Sequence, residues 1–107
     1  MRDIVFSLER IDTIIDTAGR LEAALAPGSI YRDALERRLL IIAEAAVKLG
    51  ADVQSQAPEI DWRGVRGIGS VLRHEYDQVD IETLSLVVTR ELPALKAACI
   101  RLLTDRP

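Results

Sequence analysis

Cysteine, histidine and aromatic residues are scarce in this sequence, and each scarcity excludes a class of site. Cys99 and His74 are the only residues of their kinds. One chain can therefore form neither an internal disulfide nor a zinc site built on cysteine pairs or on His-x-x-x-His. Only four residues are aromatic, so the core must come from Leu, Ile, Val and Ala. We expect a protein of the reducing cytoplasm that uses no metal and no cofactor.

Long apolar runs are absent as well. The longest apolar-rich stretch, residues 39–49, is interrupted by Glu44 and Lys48, which make it too charged to cross a bilayer. The first residues lack the apolar core of a signal peptide, because Asp3 and Glu9 interrupt them. The sequence therefore predicts a soluble, cytoplasmic protein that does not enter the membrane.

The size and charge of the chain restrict its partners. Its 107 residues suffice for one domain, residues 1–107, with a single core. Lys and Arg number 14 against 17 Asp and Glu, which gives a formal charge of −3. This mild acidity argues against a dedicated duplex-DNA binder, because phosphate contacts need a basic face. A small local basic patch remains compatible with it.

Apolar residues that recur every three or four positions predict two helices in the first half of the chain. The first helix covers Ile4 to Leu25 and is expected to end at Pro27-Gly28. Ser29 is a candidate N-cap for the second, which runs to Leu49 and is expected to end at Gly50. The second helix has apolar residues on two faces, so we expect it to be the central one.

The second half of the chain predicts two more helices after a loop at residues 51–60. Asp61 is expected to cap a helix over residues 62–76, and Asp80 one that runs to Leu102 with a kink at Pro93. No segment alternates with period two, so we predict an all-α, four-helix up-and-down bundle. Six residues should share its core: Leu8, Ile15, Leu39, Ile42, Leu84 and Leu95.

The third helix contains several glycines, each of which costs a helix interior about 1 kcal/mol relative to alanine. We predict that Gly64 and Gly67 allow another backbone or an RNA strand to approach closely. An irregular start of the helix is the alternative explanation. Residues 64–69 superficially resemble a phosphate loop, but the terminal Lys-Ser/Thr and a preceding strand are missing.

The end of the third helix gathers groups that suit phosphodiester chemistry. A histidine can move a proton to or from a ribose hydroxyl, and guanidinium groups stabilise the charge of a phosphorane-like transition state. The groups in question are His74, Arg66, Arg73 and Tyr76. The same residues also fit an ordinary surface, with a polar histidine at a helix end and a packed tyrosine. From these residues alone both interpretations stay open.

Several sequence motifs follow each other in a definite order along the chain. They comprise the helix-two pattern of residues 37–49, the segment from Pro58 to Trp62-Arg63, the stretch from Gly67 to Tyr76 that ends in His-x-Tyr, and Glu91-Leu92-Pro93-x-Leu95. In this order the motifs resemble those of the HepT-like branch of the HEPN domains, and they extend over nearly the whole chain. The resemblance implies a dimeric bundle with a metal-independent endoribonuclease site at a two-fold seam.

The resemblance also assigns roles to single residues. His74 and Tyr76 match the signature, and Ser70 stands at the polar position that is usually Asn. Gly69 stands where the family has the arginine that pairs with the histidine. The resemblance therefore implies a catalytic set of His74, Tyr76 and Ser70, with Arg66 or Arg73 in place of the missing guanidinium as the group that binds RNA phosphate.

Family members usually act as the toxin of a toxin–antitoxin module. The resemblance implies a partner, a minimal nucleotidyltransferase antitoxin that silences the toxin by attaching AMP to Tyr76. The added negative charge and bulk would block the place of an RNA phosphate. Two interpretations remain: a ribonuclease toxin, and a non-catalytic helical subunit that still binds the nucleotidyltransferase.

Overall fold

The computed structural model describes residues 1–75 and 81–104, and for residues 73–75 and 81 it describes the backbone alone. Helices dominate this part of the chain, and it contains no β-strand. The elements are α1 (Arg2–Ala18), α2 (Leu21–Leu25), α3 (Ile30–Gln54), α4 (Trp62–Glu75), α5 (Ile81–Leu86), a π-helical segment (Val87–Glu91) and α6 (Leu92–Thr104). The predicted all-α fold is confirmed. Asp80, the expected cap of the last helix, lies outside the described residues.

The core lies between α3 and its neighbours. α3 packs against α1 on one side and α4 on the other, and α6 packs against α1, so α3 is the central helix as predicted. Five of the six predicted core residues are buried, whereas Ile15 is half-buried at the edge of the cluster. None of the described helices is long and apolar enough to span a membrane.

The predicted first helix is wrong in one respect, because it is broken in the middle. α1 ends at Gly19, whose φ of 98° is a left-handed conformation that favours glycine. The Gly19 amide donates to the carbonyls of Ile15 and Asp16, which satisfies the end of α1. The short helix α2 then starts anew and buries Ala24 and Leu25. The apolar spacing alone did not reveal this break.

The second helix begins where the sequence predicts. The Ser29 side chain accepts hydrogen bonds from the amides of Tyr31 and Arg32, at 3.1 and 3.4 Å. Gly50 breaks the helix with φ 79° and ψ 167°, a region that only glycine adopts without strain. The helix resumes to Gln54, so the predicted loop at 51–60 is shorter than expected and starts at Ser55.

The third helix is capped as predicted. The Asp61 carboxylate accepts a hydrogen bond from the Gly64 amide at 3.0 Å. A β-carbon at Gly64 would collide with this same carboxylate, so glycine at this position serves the cap. A β-carbon at Gly67 would meet nothing within 4 Å. No neighbouring atom among the described residues therefore requires glycine at position 67. That RNA or a second chain approaches the backbone at Gly67 stays a prediction.

The last predicted helix deviates before its proline. Pro93 has no amide hydrogen and its ring crowds the carbonyl four residues back, which disfavours a regular helix. The structure places the π-helical segment Val87–Glu91 directly before Pro93 and continues as α6. The deviation that the sequence predicts as a kink at Pro93 is therefore a widened turn before the proline.

Arg101 lies on α6 and binds the loop that follows α3. Its guanidinium contacts both carboxylate oxygens of Glu59 and donates to the Gln56 carbonyl at 3.1 Å. The hydrogen bonds from Arg101 hold the pKa of Glu59 below its ordinary value. The contact therefore favours the folded chain above the ordinary pKa of a glutamate, and this contribution is lost as the pH falls through the lowered pKa.

Candidate functional site

The beginning of α4 is fixed against the loop that precedes it. The indole of Trp62 is buried and its Nε1 donates to the Ala57 carbonyl at 3.0 Å. Val65 and Leu72 follow on the same buried face of the helix. This anchoring determines which face of α4 is left for solvent and therefore which side chains can meet a ligand.

Three residues of the predicted site lie along one line of α4. Arg66, Ser70 and His74 follow each other at intervals of four, so successive positions differ by about 40° around the helix, and the set spans about 12 Å. Arg66 is half-buried and Ser70 is exposed. Only the backbone is described at Arg73 and His74, and Tyr76 lies outside the described residues. Whether these side chains share one cleft stays a prediction.

Gly69 belongs to the buried face of α4 and not to the exposed one. It lies between Val65 and Leu72 in helical spacing, and all three residues are buried. The position at which the family signature has an arginine therefore faces the interior of this chain. The sequence did not indicate that position 69 is buried. Its match to the family signature gives the residue type at this position and not the direction in which the position faces.

Arg66 is held by a buried glutamine. Gln54 is 8% exposed. Its Nε2 donates to the Ala46 carbonyl at 2.8 Å, and its Oε1 accepts from Nη1 of Arg66. Both ends of the amide are thus satisfied, which fixes its orientation. Gln54 could not be identified from the sequence, since nothing in the residues around Gln54 distinguishes it from a loop residue.

A cleft of about 290 Å³ lies beside Arg66, where α3 and α4 meet. It is lined by Ala43, Glu44, Val47, Lys48 and Arg66. A second cavity of about 270 Å³ on the α1 side of α3 shares Glu44 and Lys48 with it. Both positive and negative side chains therefore line this part of α3.

The described residues offer little other chemistry. They contain no cluster of three histidine, cysteine or carboxylate side chains that could hold a metal ion. Cys99 is fully buried, and desolvation raises the pKa of its thiol, so it stays protonated and unreactive at neutral pH. The polar side of α4 and the cleft beside it are thus the best candidate site.

The fold and site of the described residues define a small helical bundle with a polar side on α4. A family model described as ribonuclease HepT-like matches residues 7–102. The chain therefore belongs to the family of HepT-like ribonucleases.

Three curated proteins are similar to the chain. It is 31% identical over 67 residues to a putative RNase, MJ1380, of Methanocaldococcus jannaschii, with 63% of this chain and 62% of that protein covered. It is 36% identical over 63 residues to a probable ribonuclease HepT of Thermococcus cleftensis, with 59% and 57% covered. A putative RNase, MJ1216, of M. jannaschii is 27% identical over 99 residues, with 92% and 82% covered. The match thus spans less than two thirds of the first two relatives. No solved structure matches the chain.

Proposed function

We propose that this protein is a metal-independent endoribonuclease of the HepT type and acts as the toxin of a toxin–antitoxin module. The family match over residues 7–102 is the observation that carries the proposal. The regular helix α4 supports it, because its geometry brings the backbone positions of Arg66, Ser70 and His74 to neighbouring lines of one helix side. The relatives named as ribonucleases point the same way.

The proposed reaction needs a base, a held phosphate and a protonated leaving group. His74 accepts the proton of a ribose 2′-hydroxyl, whose oxygen attacks the adjacent phosphorus while the bond to the 5′-oxygen breaks. The products are a 2′,3′-cyclic phosphate and a 5′-hydroxyl, whose oxygen takes up a proton from water. A guanidinium balances the charge that develops on the phosphate oxygens. Arg66 or Arg73 supplies this guanidinium, and Ser70 and Tyr76 are proposed to provide hydroxyl groups.

The protein is proposed to act as a homodimer, with the site at the seam of two copies. Val47 on α3 and Val71 on α4 are 60% and 40% exposed, which leaves apolar surface on both helices. We expect light scattering to give twice the 11.9 kDa of one chain. Val47→Glu should shift the protein to the monomer, whereas Ile30→Glu, at a residue that is 74% exposed elsewhere on α3, should not. A wild-type monomer at micromolar concentration would contradict the seam.

The toxin is proposed to be silenced at Tyr76. A minimal nucleotidyltransferase transfers AMP from ATP to the phenolic oxygen of Tyr76, and pyrophosphate leaves. The attached phosphate carries negative charge next to the His74 position, where it repels RNA phosphate and occupies its place.

Co-expression tests this function directly. The chain alone should inhibit growth, and the partner should relieve this inhibition and add the mass of AMP to Tyr76. Tyr76→Phe should stay unmodified in mass spectrometry, and any inhibition that it causes should not be relieved. AMP attached to the Tyr76→Phe chain would contradict the assigned position. A wild-type chain that neither cleaves RNA nor inhibits growth would contradict the toxin.

A non-catalytic subunit is the second candidate function. The observation that favours it is Gly69, which stands at the position of the signature arginine and is buried. Loss of one preorganised charge donor costs about 10²–10³ in rate. This function predicts a chain that binds the nucleotidyltransferase and accepts AMP but cleaves no RNA.

A further inference from the structure

We infer that the cleft between α3 and α4 is a subsite for an RNA phosphate, in which Lys48 and Arg66 bind the phosphate and Gln54 is the positioning residue for Arg66. This inference rests on the proposed ribonuclease function. It gives roles to two residues, Lys48 and Gln54, to which the sequence motifs and the family signature assign none.

Two cations line the cleft from different helices. Lys48 on α3 and Arg66 on α4 line the same cleft of about 290 Å³, together with the carboxylate of Glu44. Two positive groups against one negative group favour an anion. The cleft begins at Arg66, and the helix that carries Arg66 leads on to Ser70 and to the backbone position of His74. A strand bound at the cleft would therefore continue toward the proposed catalytic end.

Gln54 fixes the guanidinium of Arg66 at one edge. In the described part of the chain, Nη1 of the Arg66 guanidinium donates to Oε1 of Gln54. The other N–H groups of Arg66 have no partner among the described residues. A guanidinium that is fixed at one edge can present the other edge to phosphate without losing side-chain freedom on binding. Gln54 thus lowers the entropic cost of phosphate binding.

The break of α3 at Gly50 places Gln54 beside the Ala46 carbonyl. In an uninterrupted helix, residues 46 and 54 lie about 12 Å apart along the axis, which is too far for the observed hydrogen bond of 2.8 Å between their side-chain and backbone atoms. The break at Gly50 turns the chain back, and the last turn of α3 brings Gln54 onto the Ala46 carbonyl. The glycine conformation therefore builds the support on which Arg66 rests.

RNA binding by the full chain tests the subsite, measured as fluorescence anisotropy of a labelled single-stranded oligoribonucleotide at several salt concentrations. Arg66→Ala and Lys48→Ala should each weaken binding about tenfold and reduce the slope of log affinity against log salt by about 0.7. Lys96→Ala is the matched control, because Lys96 lies on α6 and pairs with Asp12 at 3.5 Å. This variant should bind RNA as the wild type does. Light scattering shows whether each variant keeps its oligomeric state.

A double-mutant cycle tests the positioning role of Gln54. Gln54→Met should weaken RNA binding several-fold in the wild-type background and have no effect in the Arg66→Ala background, since it acts through Arg66. A purely structural role would lower the melting temperature in both backgrounds and leave the affinity of the folded protein unchanged. That result, or equal weakening in both backgrounds, would overturn the role of Gln54.

The RNA-binding measurements distinguish a wrong subsite from a wrong proposed function. Wild-type RNA binding that is unaffected by Lys48→Ala and Arg66→Ala would overturn the subsite alone. A wild-type chain that binds no RNA in the folded state would overturn the ribonuclease function and the subsite together.

Discussion

Replacing His74 with alanine is expected to lower the rate of RNA cleavage about 10²–10⁴-fold, the usual contribution of a general acid or base. His74 is the only histidine of the chain, so no second imidazole can take its role within one subunit. The measurement is the single-turnover cleavage rate of a labelled oligoribonucleotide by purified wild type and variant, with the chelator EDTA present throughout. A rate in EDTA equal to that without it is expected for a metal-independent reaction.

Lys96→Ala is the control for this comparison, because it removes a charge from α6 without touching α4. It should cleave RNA at the wild-type rate. Cleavage by His74→Ala at the wild-type rate would show that His74 is not the base, and would also raise the question of a contaminating nuclease. A wild-type chain without activity would instead favour the non-catalytic subunit.

Replacing Leu39 with alanine is expected to lower the free energy of unfolding by about 2–5 kcal/mol. Leu39 is fully buried in the central helix, and its side chain belongs to the common core cluster. Its removal leaves a cavity that the neighbouring helices cannot fill completely, and this cavity adds to the lost transfer free energy. Urea unfolding followed by circular dichroism measures the difference.

Ile30→Ala on the same helix is the matched control, because Ile30 is 74% exposed at the beginning of α3. Its free energy of unfolding should stay within about 0.5 kcal/mol of the wild type. A similar loss for both variants would contradict the exposed position of Ile30 at the beginning of α3. Leu39→Ala with wild-type stability would contradict the packing directly.

The sequence by itself determined the local structure of this protein. Ser29 and Asp61 cap their helices as predicted, since a cap depends on residues only two or three positions apart. The apolar spacing predicted the helices and most of the core for the same reason, because neighbours on a helix face are three or four residues apart. The ordered motifs around His74 likewise indicated the family that the comparisons show.

The tertiary structure alone decided how the candidate site is assembled. Gln54 reaches Arg66 only because Gly50 turns the chain back, and no pattern of nearby residues encodes a contact across twelve positions. The burial of Gly69 could not be predicted from the sequence either, since it depends on where Trp62 and Val65 anchor α4 against the core. Helix formation is a local property of the chain, whereas the site depends on the angles at which the helices meet, and packing sets these angles.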